Sequence, residues 1–304
     1  MSCIFNGTQS ALHLLEIIRP SIEDLFVTYK ISPFLAIIRV GHNSSSALYV
    51  KNKLKTFSSL GLKAQEYWLP EDASQEHILT LIDQLNHNTS LHGIIIQLPL
   101  PSHLNAQEIC SSIHPSKDVD GLTPLNQGLL FQGKLTGLIP CTPLGCLFIL
   151  KAHLSTLSGK KALILGRSLL VGKPMALLLV NENATVTLAH SKSCDLSLLI
   201  QEADILVSAM GNPLSVKAEW IKEGAIVLDV GITKAKTSSH FLGDIDFKKA
   251  APKTSFITPV PGGIGPMTVA CLVYNTLKAA KSSLTREPVS YDFSILKGFI
   301  PLVQ

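Results

Sequence analysis

Lys161-Ala-Leu-Ile-Leu-Gly-Arg-Ser-Leu-Leu-Val-Gly-Lys-Pro174 is the stretch from which the fold class follows. Its apolar start reads as a short buried strand. Gly166 allows a tight turn, Gly172 lets a helix start approach the sheet closely, and Pro174 fits the first helical turn. Backbone N–H groups at such a strand-to-helix turn can face a phosphate. The spacing is not Gly-x-Gly-x-x-Gly, so the same residues also fit an ordinary strand-to-helix turn. The next strand, Thr185-Val-Thr-Leu, ends in Ala189-His190-Ser191-Lys192, with no acid. Folds selective for NAD often place an acidic residue there for the ribose hydroxyls. Arg167 and Ser191 can both reach a 2′-phosphate instead, which favours NADP. A simple cap on the following turn is the other reading of Ser191.

Working outward, a helix is expected over Leu196–Ala203, a strand at Asp204–Ser208, a short helix at Glu219–Lys222, and strands at Ala225–Asp229 and Ser255–Thr258. Towards the N-terminus, a helix over Ser10–Lys30 precedes a strand at Phe34–Val40. Then follow a helix at Ser45–Leu60 capped by Gly61, a strand at Ala64–Leu69, a helix at His77–Asn86 and a strand at Gly93–Gln97. Strands alternating with helices imply parallel sheets. The stretch Pro115–Pro143 reads as a loop-rich connection, and a final helix at Thr268–Lys281 is expected to pack back on the first domain. The fold class is therefore α/β with two domains: residues 1–138 plus 269–304, and a doubly wound parallel-sheet domain at 139–268. No repeat is visible, and Ser282–Gln304 has no clear pattern.

Composition narrows the function. Of 304 residues, 46% are hydrophobic and 16% charged, which excludes a disordered chain. A net charge of +4 without a dense Lys/Arg run argues against a nucleic-acid partner. The uncharged run Leu135–Leu150 is shorter than the ~20 residues a membrane span needs, and Pro140 and Pro143 interrupt it. No signal peptide is expected from the N-terminus. The six cysteines, at 3, 110, 141, 146, 194 and 271, form no Cys-x-x-Cys pair, and buried thiols in a reducing cytoplasm are expected. The histidines are scattered without ligand spacing, so no metal site is expected.

Four groups of residues carry chemistry. Tyr49 and Lys53 are four apart on an expected helix and share a face. An amine beside a phenol suits proton transfer, although a solvated helix lysine is the commoner outcome of that spacing. Gln97 ends an apolar strand, where ligands of open α/β sheets bind; its amide could orient Lys53, or simply leave the sheet. Asp118 and Asp120 lie in the connection, and Asp120 could accept paired N–H bonds from a heterocycle or form a local turn. Thr258-Pro-Val-Pro-Gly-Gly-Ile-Gly-Pro-Met-Thr268 is stiffened by prolines, and its glycines let a flat ring or phosphate approach.

Taken together, SALYVKNK, GIIIQLPLP, KDVDGLTPLN, PCTPLG, GRSLLVGKP, HSKS, ADILVSAMGNP, AIVLDVGI, GDIDF and TPVPGGIGPMT resemble the bifunctional methylenetetrahydrofolate dehydrogenase/cyclohydrolase family, from Val40 to about Ala279. The resemblance implies a smaller catalytic α/β domain and a Rossmann-like NADP-binding domain with a cleft between them. It implies oxidation of 5,10-methylenetetrahydrofolate to the methenyl form and hydrolysis to 10-formyltetrahydrofolate. By motif, Lys53 matches the catalytic lysine, Tyr49 the tyrosine packing on folate, Gln97 the glutamine tuning the lysine, and Asp120 the pterin-binding aspartate. Gly166, Arg167, Ser168, Ser191 and Ile232 match nucleotide contacts. The loop Pro261–Pro266, with Gly262, Gly263 and Pro266, matches a wall shared by both ligands.

Tetrahydrofolate substrates, NADP and a homodimer are the partners so implied, with neither nucleic acid nor membrane. No ligase domain follows, so two activities rather than three are expected. Burial and a donor from Gln97 are expected to lower the Lys53 pKa. Three departures stand out: His42 where an aspartate is expected, Leu169 at an often polar place, and a longer, more apolar tail beyond Arg286. Other readings are a different two-domain NADP oxidoreductase, which would lack KDVDG with PGGIGPMT, and a non-catalytic folate or nucleotide module.

Overall fold

A computed structural model describes residues 3–234, 240–285, 287–288 and 290–295. Along the chain come β1 (Cys3–Ile4), α1 (Gly7–Tyr29), β2 (Phe34–Val40), α2 (Ser44–Ser59), β3 (Lys63–Leu69), α3 (Gln75–His87), β4 (Gly93–Ile96), α4 (Ala106–Ser111) and α5 (Pro124–Phe131). Then follow α6 (Cys141–His153), β5 (Lys161–Leu165), α7 (Gly172–Asn181), β6 (Thr185–Ala189), α8 (Leu196–Glu202), β7 (Ile205–Ser208), β8 (Ile226–Asp229), β9 (Thr233–Lys234), β10 (Phe241–Leu242), α9 (Phe247–Ala250), β11 (Phe256–Ile257) and α10 (Ile264–Thr285). Two compact units result. One takes Leu15–Cys141 and Val269–Tyr291, and the other takes the remaining described residues.

The first unit is built on a three-stranded parallel sheet in the order β3-β2-β4. The central strand, Phe-Leu-Ala-Ile-Ile-Arg-Val, is buried at every position except Arg39, the continuous apolar run expected of a parallel strand covered on both faces. Its Phe34, Ala36, Ile38 and Val40 join Ile78, Ile82, Leu85, Ile94 and Ile96 in one apolar core. Local caps fix the helices that feed this sheet. Asn43 accepts the Ser46 N–H at 3.0 Å to start α2, and Gly61, at φ +69°, follows its end. Lys117 donates to the carbonyls of Leu85, Asn86 and Asn88 at 2.7–3.1 Å, closing the C-terminal end of α3. His42 stacks edge-on against Trp68 at 5.0 Å, and the Trp68 indole donates to Gly41 O at 3.0 Å, so the unexpected histidine is packed into the turn ahead of α2.

The second unit carries a six-stranded parallel sheet in the order β1-β11-β8-β7-β5-β6. The strand order reverses between β5 and β7, the topological switch point at which open α/β sheets bind ligands. Leu163, Leu165, Leu206, Val227 and Ile257 form its core with Ile200 and Ile221.

Three features differ from the sequence expectation. The stretch 115–143 contains α5 and the start of α6. The two-residue strand β1 pairs with β11, which draws the first residues into the six-stranded unit rather than into 1–138. Asp292–Ile295 also groups there, with the Phe293 ring 5.5 Å from that of Phe148. The rest of the apolar tail, from 296 on, lies outside the described residues. Among the described residues no helix is long and apolar enough to cross a membrane. Cys110, Cys141, Cys146 and Cys271 are buried, while Cys194 is exposed and Cys3 half-buried.

Candidate active site

The amphipathic face of α2 carries Tyr49 and Lys53 one turn apart. Lys53 Nζ donates to Gln97 Oε1 at 2.9 Å, and Gln97 stands directly after β4, at the carboxyl end of the sheet, 8% exposed. The other end of the Gln97 amide is committed, because Nε2 donates to the Leu98 carbonyl at 2.9 Å. A carbonyl only accepts, so this bond fixes the amide with its oxygen towards the amine. That corrects one expectation: Gln97 accepts from Lys53 and does not donate to it. The Lys53 pKa is lowered, and the cause is burial of the amine end; the Asp120 carboxylate acts in the opposite direction. Burial also raises the Tyr49 phenol pKa, which keeps it neutral.

The two acids of Lys-Asp-Val-Asp-Gly have separate tasks. Asp118 is 1% exposed and accepts from Leu122 N at 3.0 Å, Thr123 N at 2.7 Å and Asn126 Nδ2 at 2.9 Å. Burial lifts its pKa to about 6 against the pull of those bonds. It is the organiser of the loop leading into α5. Asp120 is half-buried, close enough to Lys53 to oppose the loss of its proton. Cys141, quoted in the Pro-Cys-Thr-Pro stretch but not singled out, belongs to the same cluster. Its thiol donates to Val119 O at 3.2 Å, and burial, then the Asp120 charge, push its pKa well up. It is a neutral wall rather than a nucleophile. Proximity to Asp120 in space, invisible in the sequence, is the signal that finds it.

In the six-stranded unit, Gly166 follows β5 at φ +111°, and a Cβ there would lie 2.3 Å from Ala209 O, at the end of β7. A Cβ on Gly172 would lie 1.9 Å from Gly166 O. The turn is thus folded onto the helix start at the switch point, with room for backbone only. Arg167 and Ser168 are exposed on it. The Ser168 hydroxyl accepts from Val171 N at 3.1 Å and Gly172 N at 3.4 Å, which leaves its own proton to donate. Ser191 and Ile232 are exposed beyond β6 and β8.

Two buried aspartates not anticipated from sequence brace the neighbouring loops. Asp244 accepts from Ser208 Oγ, Met210 N and Asn212 N at 2.7–2.9 Å. Asp229 accepts from Gly231 N, Asp244 N and Ile245 N at 3.0–3.1 Å, and burial pushes its pKa up to about 7. Gly262, Gly263 and Pro266 belong to this unit as well. The Gly262 carbonyl accepts from Gly7 N at 2.9 Å, a Cβ on Gly263 would meet Pro259 O at 2.4 Å, and Pro266 lies in the first turn of α10.

Comparison with known proteins gives the family. A profile described as tetrahydrofolate dehydrogenase/cyclohydrolase, catalytic domain, matches residues 5–120, and its NAD(P)-binding-domain counterpart matches residues 140–284. The chain is 46% identical over 282 residues to bifunctional protein FolD of Dichelobacter nodosus, covering 92% of this chain and 97% of that protein. It is 45% identical over 278 residues to bifunctional protein FolD 2 of Paracoccus denitrificans, covering 91% and 92%. Among solved structures, the bifunctional FolD methylenetetrahydrofolate dehydrogenase/cyclohydrolase of Campylobacter jejuni superposes with a TM-score of 0.90 at 43% identity, over 93% of this chain and 99% of that one. The Trypanosoma brucei enzyme, complexed with NADP and an inhibitor, gives 0.89 at 36%, over 93% and 98%. Matching both profiles, and matching bifunctional relatives over nearly their whole length, the chain belongs to the tetrahydrofolate dehydrogenase/cyclohydrolase family.

Proposed function

We propose that this chain oxidises 5,10-methylenetetrahydrofolate with NADP and hydrolyses the resulting methenyl compound to 10-formyltetrahydrofolate, as an enzyme of one-carbon metabolism, with Lys53 as its proton-transfer group. The observation that carries this reading is the desolvated Lys53 amine, bonded to the inward-facing oxygen of Gln97. A lysine whose pKa is lowered by burial is neutral in a larger fraction of molecules, and only a neutral amine is a base. Using one N–H on Gln97 leaves the lone pair of Nζ to be aimed elsewhere. A permanent ammonium would also repel the cationic methenyl group.

In the oxidation, Tyr49 packs on the folate and Asp120 accepts N–H bonds from the pterin, holding the one-carbon bridge in place. A bound NADP would supply the acceptor for the hydride leaving that bridge. The residues of the Gly166 turn fit such a nucleotide, since the cradle admits backbone alone and carries an exposed Arg167, with no acid among the three residues directly after β6. Gly166, Ser168 and Ile232 would line the nucleotide, Arg167 and Ser191 would read its 2′-phosphate, and Gly262, Gly263 and Pro266 would contact the substrate. In the hydrolysis, Lys53 takes a proton from the water attacking the methenyl carbon. It then returns that proton to the folate nitrogen from which the carbon departs, while the remaining hydroxyl proton leaves to solvent as the formyl C=O forms.

Two experiments test the reading. Turnover of methenyltetrahydrofolate should rise with pH as Lys53 loses its proton and then level off, because the base form is the active one. Asp120→Asn removes the charge that holds the proton on Lys53 and should shift the rise in kcat to lower pH. A pH profile for kcat identical in both proteins would remove the Asp120–Lys53 coupling from the mechanism. Arg167→Ala should weaken NADP by about 10-fold or more while changing NAD little, measured as KM for each coenzyme in the dehydrogenase assay. Equal losses would show that Arg167 does not read the 2′-phosphate.

A homodimer and a cytoplasmic setting complete the proposal. The edge of β6 offers a sheet edge to a second copy, and the buried Cys110, Cys141 and Cys146 thiols suit a reducing compartment.

A further inference from the structure

Beyond α10, the chain returns to the three-stranded unit through Tyr291, which is 8% exposed. Its hydroxyl does two things at once. It accepts from Ile139 N at 2.9 Å and donates to Asn275 Oδ1 at 2.8 Å. Its ring stands edge-on to Tyr274 at 5.8 Å and under Lys278 Nζ at 3.7 Å. Asn275 has no exposed surface, and its Nδ2 donates to Val119 O and Ile139 O, both at 2.8 Å. Lys278 donates to Gly137 O at 2.7 Å. One face of α10 and one tyrosine therefore hold the backbone of residues 137–139 together with that of Val119.

Those two backbone stretches flank Asp120. Gly121, at φ +64°, lies so close against residues 138–140 that a Cβ on it would be 2.5 Å from Leu138 O and 2.7 Å from Pro140 N. Val119 O, on the other side of Asp120, also receives the Cys141 thiol at 3.2 Å. Without the Tyr291 hydroxyl, the Ile139 N–H and the Asn275 carbonyl would each be buried without that partner, and both groups sit next to the Asp120 turn.

We propose that Tyr291 is a positioning residue for the folate substrate, acting with Asn275 to set the Val119–Gly121 backbone and thereby the aim of the Asp120 carboxylate. The proposal rests on the reading of Asp120 as the pterin contact. It makes Tyr291, which follows α10, part of the substrate site of this chain.

Tyr291→Phe keeps the ring and removes only the hydroxyl. In the cyclohydrolase assay, which needs no nucleotide, the KM for methenyltetrahydrofolate should rise about 10-fold with kcat within about twofold, while NADP affinity is unchanged. In an Asp120→Asn background the same substitution should add little, because neighbours acting through one group are not additive. An unchanged KM in folded Tyr291→Phe overturns the proposal. So does full additivity with Asp120→Asn, or a parallel loss of NADP affinity, which would mean general loosening. If Asp120→Asn itself leaves KM unchanged, the pterin assignment falls and takes the proposal with it. If only Tyr291→Phe is silent, the positioning role alone falls. Should Tyr291→Phe not fold, hydrogen exchange in the unaltered protein decides. The Ile139 amide should exchange more slowly once a folate analogue binds, and an unchanged rate refutes the link.

Discussion

Lys53→Met should lower methenyltetrahydrofolate hydrolysis by about 10³-fold, within the range for loss of a positioned proton-transfer group, while NADP affinity stays unaltered. Methionine keeps the unbranched stem and roughly its volume, so the half-buried site on α2 is refilled rather than hollowed. What disappears is the lone pair proposed to take the proton from water, together with the N–H that Gln97 Oε1 accepts at 2.9 Å. The orphaned Gln97 oxygen costs some stability, but its Nε2 remains tied to Leu98 O, so the strand end does not reorganise. Decay of the methenyl absorbance band measures the hydrolysis, and fluorescence of the reduced nucleotide measures binding. Hydrolysis within tenfold of the parent rate would exclude Lys53 as the base.

Gly172→Ala should separate the two activities in the opposite sense. The added Cβ would start 1.9 Å from the Gly166 carbonyl oxygen and 3.0 Å from Arg167 Cα. These are backbone atoms and cannot swing aside as a side-chain tip would, so the turn itself must move. Overpacking of this kind costs roughly 3 kcal/mol, which corresponds to about 100-fold in nucleotide affinity if the strain is released by displacing the Gly166–Ser168 turn. NADP-linked oxidation should fall accordingly, with hydrolysis retained, since Lys53, Gln97 and Asp120 lie in the other unit. The two rates measured on one preparation check this. Loss of both together would mean that the unit has unfolded, and loss of neither that the turn does not carry the nucleotide.

Strands β2 and β5 were readable because burial on both faces leaves a continuous apolar run bounded by glycine. Helix α6 was not. It opens with Cys-Thr-Pro-Leu-Gly, which carries loop signals, and it is apolar on nearly all sides, with Leu144 and Cys146–Leu150 buried. A helix buried all round shows no polar face and hence no 3.6-residue rhythm. Strand β1 is two residues long and owes its existence to a partner more than 250 positions away, a pairing no local pattern encodes.

The chain's order of residues determined the alternation of strands and helices, the two parallel sheets, and the identity of the amine, amide and acid proposed for the chemistry, because each of these is set by local periodicity or by side-chain type. Only the tertiary structure decided how those groups are used. It turned the Gln97 oxygen towards Lys53, since Leu98 O claims the nitrogen. It separated Asp118, spent on the loop, from Asp120, left beside the amine. It also brought Tyr291 and Asn275 beneath the Val119–Gly121 turn. Hydrogen-bond partners and desolvation depend on which groups meet in space, and the meeting of residues distant along the chain is a property of packing that no short stretch of sequence contains.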